Sequence, residues 1–278
     1  MEKVRPKRSV LFMPGSNARA LEKARTLPCD VVALDLEDAV APEAKDAARA
    51  AVCAAVSARV FAPKEVVIRI NPLSSAWGAE DLKAVAKAGP DAVILPKVQE
   101  PDDIAEVRQQ APDLNLWAMI ETPGAVLNIS AIAGAGVQCL VLGSNDLMKD
   151  LRAQAMPGRE NLWAAMSLVV LAARAHGIGA IDGTYNDIAD QAGLTAACEQ
   201  GRAFGFDGKS LIHPDQIEAA NRGFAPSESQ IAEARRIQAA FAQNPGVSVL
   251  ALDGRMLERL HAEEAARLLA LAEAIQQR

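Results

Sequence analysis

Eight short, unbroken apolar runs recur along this chain, at residues 9–13, 31–34, 66–70, 92–95, 116–120, 139–142, 179–181 and 208–212. Unbroken runs suit parallel strands buried on both faces, whereas alternating runs belong to sheets with one wet face. Helical patterns lie between them, among others at 18–26, 42–57, 101–110 and 162–176. Eight such repeats predict an α/β fold, a closed (β/α)8 TIM barrel rather than an open doubly wound sheet, and no G-x-G-x-x-G follows the first run. The 278 residues are close to the size of one such barrel, and half of them are apolar, enough for a large core.

The last sixty or so residues read differently. Ser227, with Gln230 three positions on, has the form of a helix N-cap with a capping box, and the helix it starts runs to about residue 244. Pro245-Gly246 breaks the chain, an apolar strand-like piece follows at 247–252 and ends at Asp253-Gly254, and an amphipathic helix covers about 261–275. The expected organisation is a catalytic barrel over 1–223 and a C-terminal helical arm over 224–278.

Net charge is −6, which argues against nucleic acid as a partner. Lys3, Arg5, Lys7, Arg8, Arg19, Lys23 and Arg25 nevertheless form a basic cluster, either a solvated surface or a corner that receives a small polyanion. Four cysteines are widely spaced with no C-x-x-C pair, as expected of free thiols in a reducing cytoplasm. The opening MEKVRPKRSVLFMPG does not have the pattern of a secretory signal, and no stretch approaches the ~20 apolar residues that span a membrane. With three histidines, zinc sites built on several of them are not expected.

In a TIM barrel the active site lies at the carboxyl ends of the strands. There the sequence places Pro14-Gly15-Ser16-Asn17, Asp35-Leu36-Glu37-Asp38, Arg69 with Asn71, Pro96-Lys97, Glu121-Thr122-Pro123, Gly143-Ser144-Asn145-Asp146, Asp182, and Lys209 with His213-Pro214. Each alone is ordinary loop chemistry. A barrel, however, aims all eight positions at one mouth. Carboxylates dominate, and hard oxygen ligands favour Mg²⁺, Mn²⁺ or Ca²⁺. Glu121 and Asp146, on adjacent strands, form the natural pair. Arg69, two strands from Glu121, is placed to reach across the mouth, where a fixed guanidinium suits an enolate or a carboxylate. No G-x-S-x-G elbow is present for a serine triad.

RSVLFMPGSNARALEKA, LDLEDAV, VIRIN, ILPKV, IETPGAV, LGSNDL, GFDGKSLIHPDQI and LDGRM occur in this order. Together they resemble the citrate lyase β-subunit-like CoA-ester lyases of the HpcH/HpaI aldolase superfamily, across nearly the whole chain. IDGTYNDIADQAGL followed by CEQGRAFGFDGKSLIHP is similar to the malyl-CoA and β-methylmalyl-CoA lyases and the (3S)-malyl-CoA thioesterases of that family. The resemblance implies Mg²⁺ (with Mn²⁺ as a substitute), coenzyme A as part of the substrate, and a homotrimer or hexamer. It implies an enzyme that cleaves a 3-hydroxydicarboxylyl-CoA to a 2-oxo acid and an acyl-CoA. The alternatives are a (3S)-malyl-CoA thioesterase on the same scaffold, or a citrate lyase β subunit that works on an acyl-carrier partner. By position, Glu121 and Asp146 match metal ligands, and Glu37 and Asp38 match acids that hold metal-bound water. Arg69 matches the arginine that steadies the thioester enolate. Arg19 and Lys23 match residues near the CoA phosphates, with Pro14, Gly15 and Asn71 in the substrate-binding loops. Asp253 matches an acid supplied by a neighbouring subunit, on which the arm is expected to pack. Many relatives carry an acid where Asn145 stands. CoA-free class II aldolases usually have His after the second-strand Glu; Asp38 stands there and favours the CoA group.

Overall fold

The computed structural model describes residues 5–278. All eight apolar runs are strands: β1 Ser9–Pro14, β2 Val31–Asp35, β3 Glu65–Arg69, β4 Ala92–Leu95, β5 Leu116–Ile120, β6 Cys139–Leu142, β7 Gly179–Asp182 and β8 Gly208–Leu211. They pair in parallel in sequence order, and β8 closes on β1 with Ser9 opposite Lys209 and Leu11 opposite Leu211. The protein is a TIM barrel.

Two apolar layers follow from the period of two along each strand. Val10, Val31, Ala33, Val67, Ile94, Trp117, Met119, Val141 and Ile181 fill the lumen. Their neighbours, such as Leu11, Val32, Leu34, Ile68 and Leu140, pack outward against the helices. This parity decides which strand ends face the mouth. Asp35 is two residues beyond Ala33, Arg69 two beyond Val67, and Glu121 two beyond Met119, so all three continue the inward row. Asp182 follows inward Ile181, and Lys209 is two before outward Leu211, so both belong to the outer row.

Asp182 and Lys209 are therefore a correction to the expectation of eight convergent strand ends. They are fully buried and pair at 2.8 Å, and Arg159 Nη1 lies 2.8 Å from Asp182 Oδ1. A methyl group at Gly201, in the helix Gln191–Phe204, would come within 2.8 Å of Asp182 Oδ2, which places this carboxylate in the helix layer. One residue of register separates a mouth residue from a buried strut.

The basic corner also divides. Lys7 and Arg8 precede β1, at the end of the barrel opposite the mouth, where they pair with Glu65 at 3.1 Å and Asp30 at 2.8 Å. Arg19 and Lys23 lie on the helix Ala18–Ala24, after the strand has crossed the barrel. Arg25 pairs with Glu22. Lys3 lies outside the described residues.

Residues 7–224 form one compact unit, and residues 225–278 group with residues 5–6 in a second. In the second, Ser227 caps the helix Glu228–Gln243 through a capping box with Gln230, and the closing helix is Arg259–Gln276. The piece expected as one strand is half of a hairpin, β9 Val249–Leu252 paired antiparallel with β10 Arg255–Glu258. Asp253 and Gly254 have φ of 50° and 75°. Two successive left-handed residues make the tight turn that folds β10 back, and the polar character of RMLE hid this strand in the sequence. No helix among the described residues is long and apolar enough to cross a membrane.

Candidate active site

Asp35 and Arg69 end neighbouring strands and stand opposite each other in register. Arg69 Nε donates to Asp35 Oδ1 at 2.7 Å and Nη2 donates to Oδ2 at 2.6 Å, a two-pronged pair. The same carboxylate accepts the N–H groups of Glu37 at 2.9 Å and Ala39 at 3.0 Å, which turns the chain sharply after β2. Lys45 holds that turn from behind. Its buried ammonium donates to the carbonyls of Leu36 and Glu37 and to Asn71 Oδ1, at 2.8, 2.7 and 2.7 Å. The result presents Glu37 and Asp38 to the third guanidinium nitrogen. Arg69 Nη1 is 2.9 Å from Glu37 Oε2 and 3.7 Å from Asp38 Oδ2. Glu37 Oε2 is buried and, despite that ion contact, has no aligned hydrogen bond.

Gly15 lets this corner close. Its N–H donates to the Asp35 carbonyl at 2.8 Å. A methyl group there would come within 2.8 Å of both that oxygen and Val52. Pro14 lines the cavity beside it.

Across the mouth, Glu121 is almost fully buried and Asp146 is partly open. Lys97 joins them: its backbone N–H donates to Glu121 Oε1 at 2.6 Å, and its ammonium lies 3.0 Å from Asp146 Oδ1 and 3.5 Å from Glu121 Oε1. Glycine is needed at 143 because a side chain would enter Glu121, within 2.4 Å of its Cβ. Asp35, Asp38, Arg69, Glu121 and Asp146 line one cavity of about 370 Å³, with Phe12, Pro14 and Met119 among its apolar walls.

The charges are unequally compensated. Burial raises the Asp35 carboxyl, but Arg69 and the two backbone donors outweigh it and hold it below its ordinary value. Glu37 is pushed up to about 8 by burial; Arg69 opposes this, and Asp38, Glu121 and Asp35 add to it. Arg69 is shared with Asp35 and so cannot neutralise Glu37 fully. Burial also raises Glu121, against the Lys97 N–H and ammonium.

The remaining expected residues fall elsewhere. Asn71 is buried, and its amide donates to the Leu36 carbonyl at 2.8 Å and Asp81 Oδ2 at 2.6 Å while its oxygen accepts from Lys45. It braces the acidic loop through these hydrogen bonds. Arg19 and Lys23 are exposed and, among the described residues, make no ion pair. Asp253 pairs with Arg236 within the C-terminal unit. Asn145 exchanges amide hydrogen bonds with Asn186, at 3.2 and 2.8 Å, an arrangement an acid at 145 would break.

Sequence reasoning passed over Lys45 and gave Asp35 and Lys97 no role. Their signals were present, since inward parity marks Asp35 and ILPKV sets Lys97 beside Glu121. Lys45 has no such signal, because only the folded turn gathers its three acceptors.

As a metal site, the donor set fits Mg²⁺. Glu121 and Asp146 supply two hard oxygens, and Mg²⁺ typically takes one or two carboxylates and keeps other positions for water and substrate. Among the described residues, no three of His, Cys, Asp or Glu converge in a closed cage.

Comparison with known proteins establishes the family. The chain is 45% identical to a (3S)-malyl-CoA thioesterase of Cereibacter sphaeroides, over 97% of this chain and 96% of that one. It is 34% identical to the citrate lyase subunit beta of Escherichia coli, over 98% and 95% of the two chains. Both relatives are enzymes. The structure of CitE from Mycobacterium tuberculosis in complex with magnesium, acetoacetate and coenzyme A superposes with a TM-score of 0.79 at 30% identity, covering 97% of this chain and 100% of that chain. The pattern of the HpcH/HpaI aldolase/citrate lyase family matches residues 8–214. The chain belongs to the HpcH/HpaI aldolase/citrate lyase family.

Proposed function

We propose that this protein is a Mg²⁺-dependent enzyme that hydrolyses a small 3-hydroxydicarboxylyl-CoA of the malyl-CoA type. The observation that carries this reading is the 45% identity with (3S)-malyl-CoA thioesterases along nearly the full length of both chains.

Glu121 and Asp146 would hold the cation, and the same oxygens would accept Mn²⁺. When bound, the metal supplies Lewis-acid polarisation of a substrate oxygen. The chain's own groups do the rest. Arg69, fixed by Asp35, directs Nη1 at the mouth and stabilises negative charge developing on the thioester oxygen. Glu37, whose carboxyl burial pushes up to about 8, is suited to general acid–base work and passes a proton to and from the attacking water. Asp38, exposed at the cavity wall, accepts a hydrogen bond from that water. Arg19 and Lys23, one helical turn apart, receive CoA phosphates. Pro14 and Gly15 shape the wall against the thioester, and Asn71 acts through the Lys45 lock. Asp253 completes the mouth of a neighbouring subunit in a homotrimer or hexamer, with residues 224–278 packing on that neighbour. The cytoplasm is the compartment that suits four free thiols.

Carbon–carbon cleavage to a 2-oxo acid and an acyl-CoA is the second reading, favoured by the 34% identity with citrate lyase β subunits. The test is to incubate purified protein and Mg²⁺ with malyl-CoA, citramalyl-CoA and β-methylmalyl-CoA, tracking free thiol and 2-oxo acid separately. Hydrolysis gives thiol without 2-oxo acid and stops with chelator. A 2-oxo acid without thiol selects lysis, and inertness toward all free CoA esters selects a carrier-dependent subunit.

A further inference from the structure

Lys97 stands between the two candidate metal ligands in an unusual backbone state. Its φ is 53°, in the left-handed region that residues with side chains seldom adopt. Contacts on both sides of the residue hold it there. The N–H is fixed on Glu121 Oε1 at 2.6 Å, and the ammonium bridges Asp146 at 3.0 Å and Glu121 at 3.5 Å. Among the described residues, no other cation lies within ion-pair distance of either carboxylate. Lys97 also lines a second cavity of about 430 Å³, outside the mouth, with Glu100, Asp103 and Glu106 in its walls. The lysine thus bridges the two carboxylates of the mouth and borders a second acidic space.

We propose that the Lys97 ammonium is an internal counter-ion of the Glu121–Asp146 pair, which holds the two carboxylates in place before a divalent cation arrives and yields when it binds. This rests on the reading of that pair as the metal site. Without a cation, a buried carboxylate beside a second one is costly, and a bridging ammonium offsets that cost. The same charge opposes a divalent ion on the same oxygens. The second cavity gives the displaced ammonium an acidic space within reach of its flexible stem. The backbone N–H does not move with the side chain, so Glu121 keeps its orientation in both states. Lys97 is in this sense a positioning residue that sets how tightly the site takes metal.

The test uses Mn²⁺ as the probe, with free ion read by electron paramagnetic resonance during titration of chelator-treated full-length protein. Wild type, Lys97→Met and Glu121→Gln are compared. Lys97→Gly, which relieves the backbone strain, is a second charge-free variant should Lys97→Met not fold. Thermal unfolding in chelator and in saturating Mn²⁺ is measured alongside. The expected result is Mn²⁺ binding about tenfold or more tighter in Lys97→Met. Its melting temperature should be lower than wild type in chelator, with the gap closing in Mn²⁺. Glu121→Gln should bind little Mn²⁺. Equal or weaker Mn²⁺ binding by the charge-free variants, with wild type still binding, overturns the counter-ion role alone. Absence of Mn²⁺ binding in every form, wild type included, overturns the metal reading and this proposal with it.

Discussion

Arg69 meets Asp35 through two hydrogen bonds of 2.7 and 2.6 Å between residues that stand in register on adjacent strands. Two guanidinium nitrogens are therefore fixed by the scaffold, and the third is left beside Glu37 at the mouth. A donor held in this way needs no reorganisation when charge develops in front of it.

Arg69→Lys removes the planar fork while keeping a charge. The expected result is a kcat lower by about a hundredfold with a much smaller change in KM, as for a donor used mainly in the transition state. Steady-state kinetics on the preferred CoA ester check this. A change confined to KM makes Arg69 a uniform binding residue.

Glu37 gives the cation-free protein a characteristic pH dependence. Its carboxyl titrates near 8 in the fold, against 4.5 as the ordinary value. Between these values the native state keeps a proton that the unfolded chain has lost. Its contribution to stability therefore falls as pH rises from about 4.5 to about 8 and is flat above. Glu37→Gln should flatten that part of the slope, a difference of a few kcal/mol across the window. Urea unfolding in chelator at the two ends of the window measures it; identical slopes in both proteins would show that Glu37 holds no extra proton.

Lys45→Met should cost about 2–4 kcal/mol, because it leaves buried Asn71 Oδ1 without its donor and removes one of the two donors from each of the Leu36 and Glu37 carbonyls. Activity should fall further than the unfolded fraction explains, since the same carbonyls set the Glu37–Asp38 turn. Chemical denaturation and kinetics on the folded fraction separate the two effects. Wild-type activity in a destabilised variant would make Lys45 a scaffold residue only.

The barrel was legible in the sequence because parallel strands covered on both faces leave an unbroken apolar signature. The three runs 92–95, 116–120 and 139–142, and the helical pattern at 101–110, match their elements to the residue. Which polar residues face the mouth was only partly legible. Asp35, Arg69 and Glu121 fall in the inward row, whereas Asp182 and Lys209, equally polar and equally near strand ends, fall one residue out of phase and pair in the helix layer. Composition cannot distinguish these cases; the phase of each strand does. β10 escaped notice because a two-residue turn at Asp253-Gly254, not an apolar run, creates it.

Asp253 offers a test of assembly. In its own unit it sits at a hairpin turn and pairs with Arg236. If it completes a neighbour's mouth, inactive Asp253→Asn mixed with inactive Glu121→Gln under subunit exchange should regain activity, since some sites then contain both native residues. Continued inactivity with exchange verified by mass labelling rules out a shared site.

The most direct measurement is the fate of water oxygen during turnover of (3S)-malyl-CoA in H₂¹⁸O with Mg²⁺. Hydrolysis at the thioester predicts free CoA and malate carrying one ¹⁸O in the newly formed carboxylate, with none of either in chelator. Glyoxylate and acetyl-CoA as the products, or malate without the label, would contradict it.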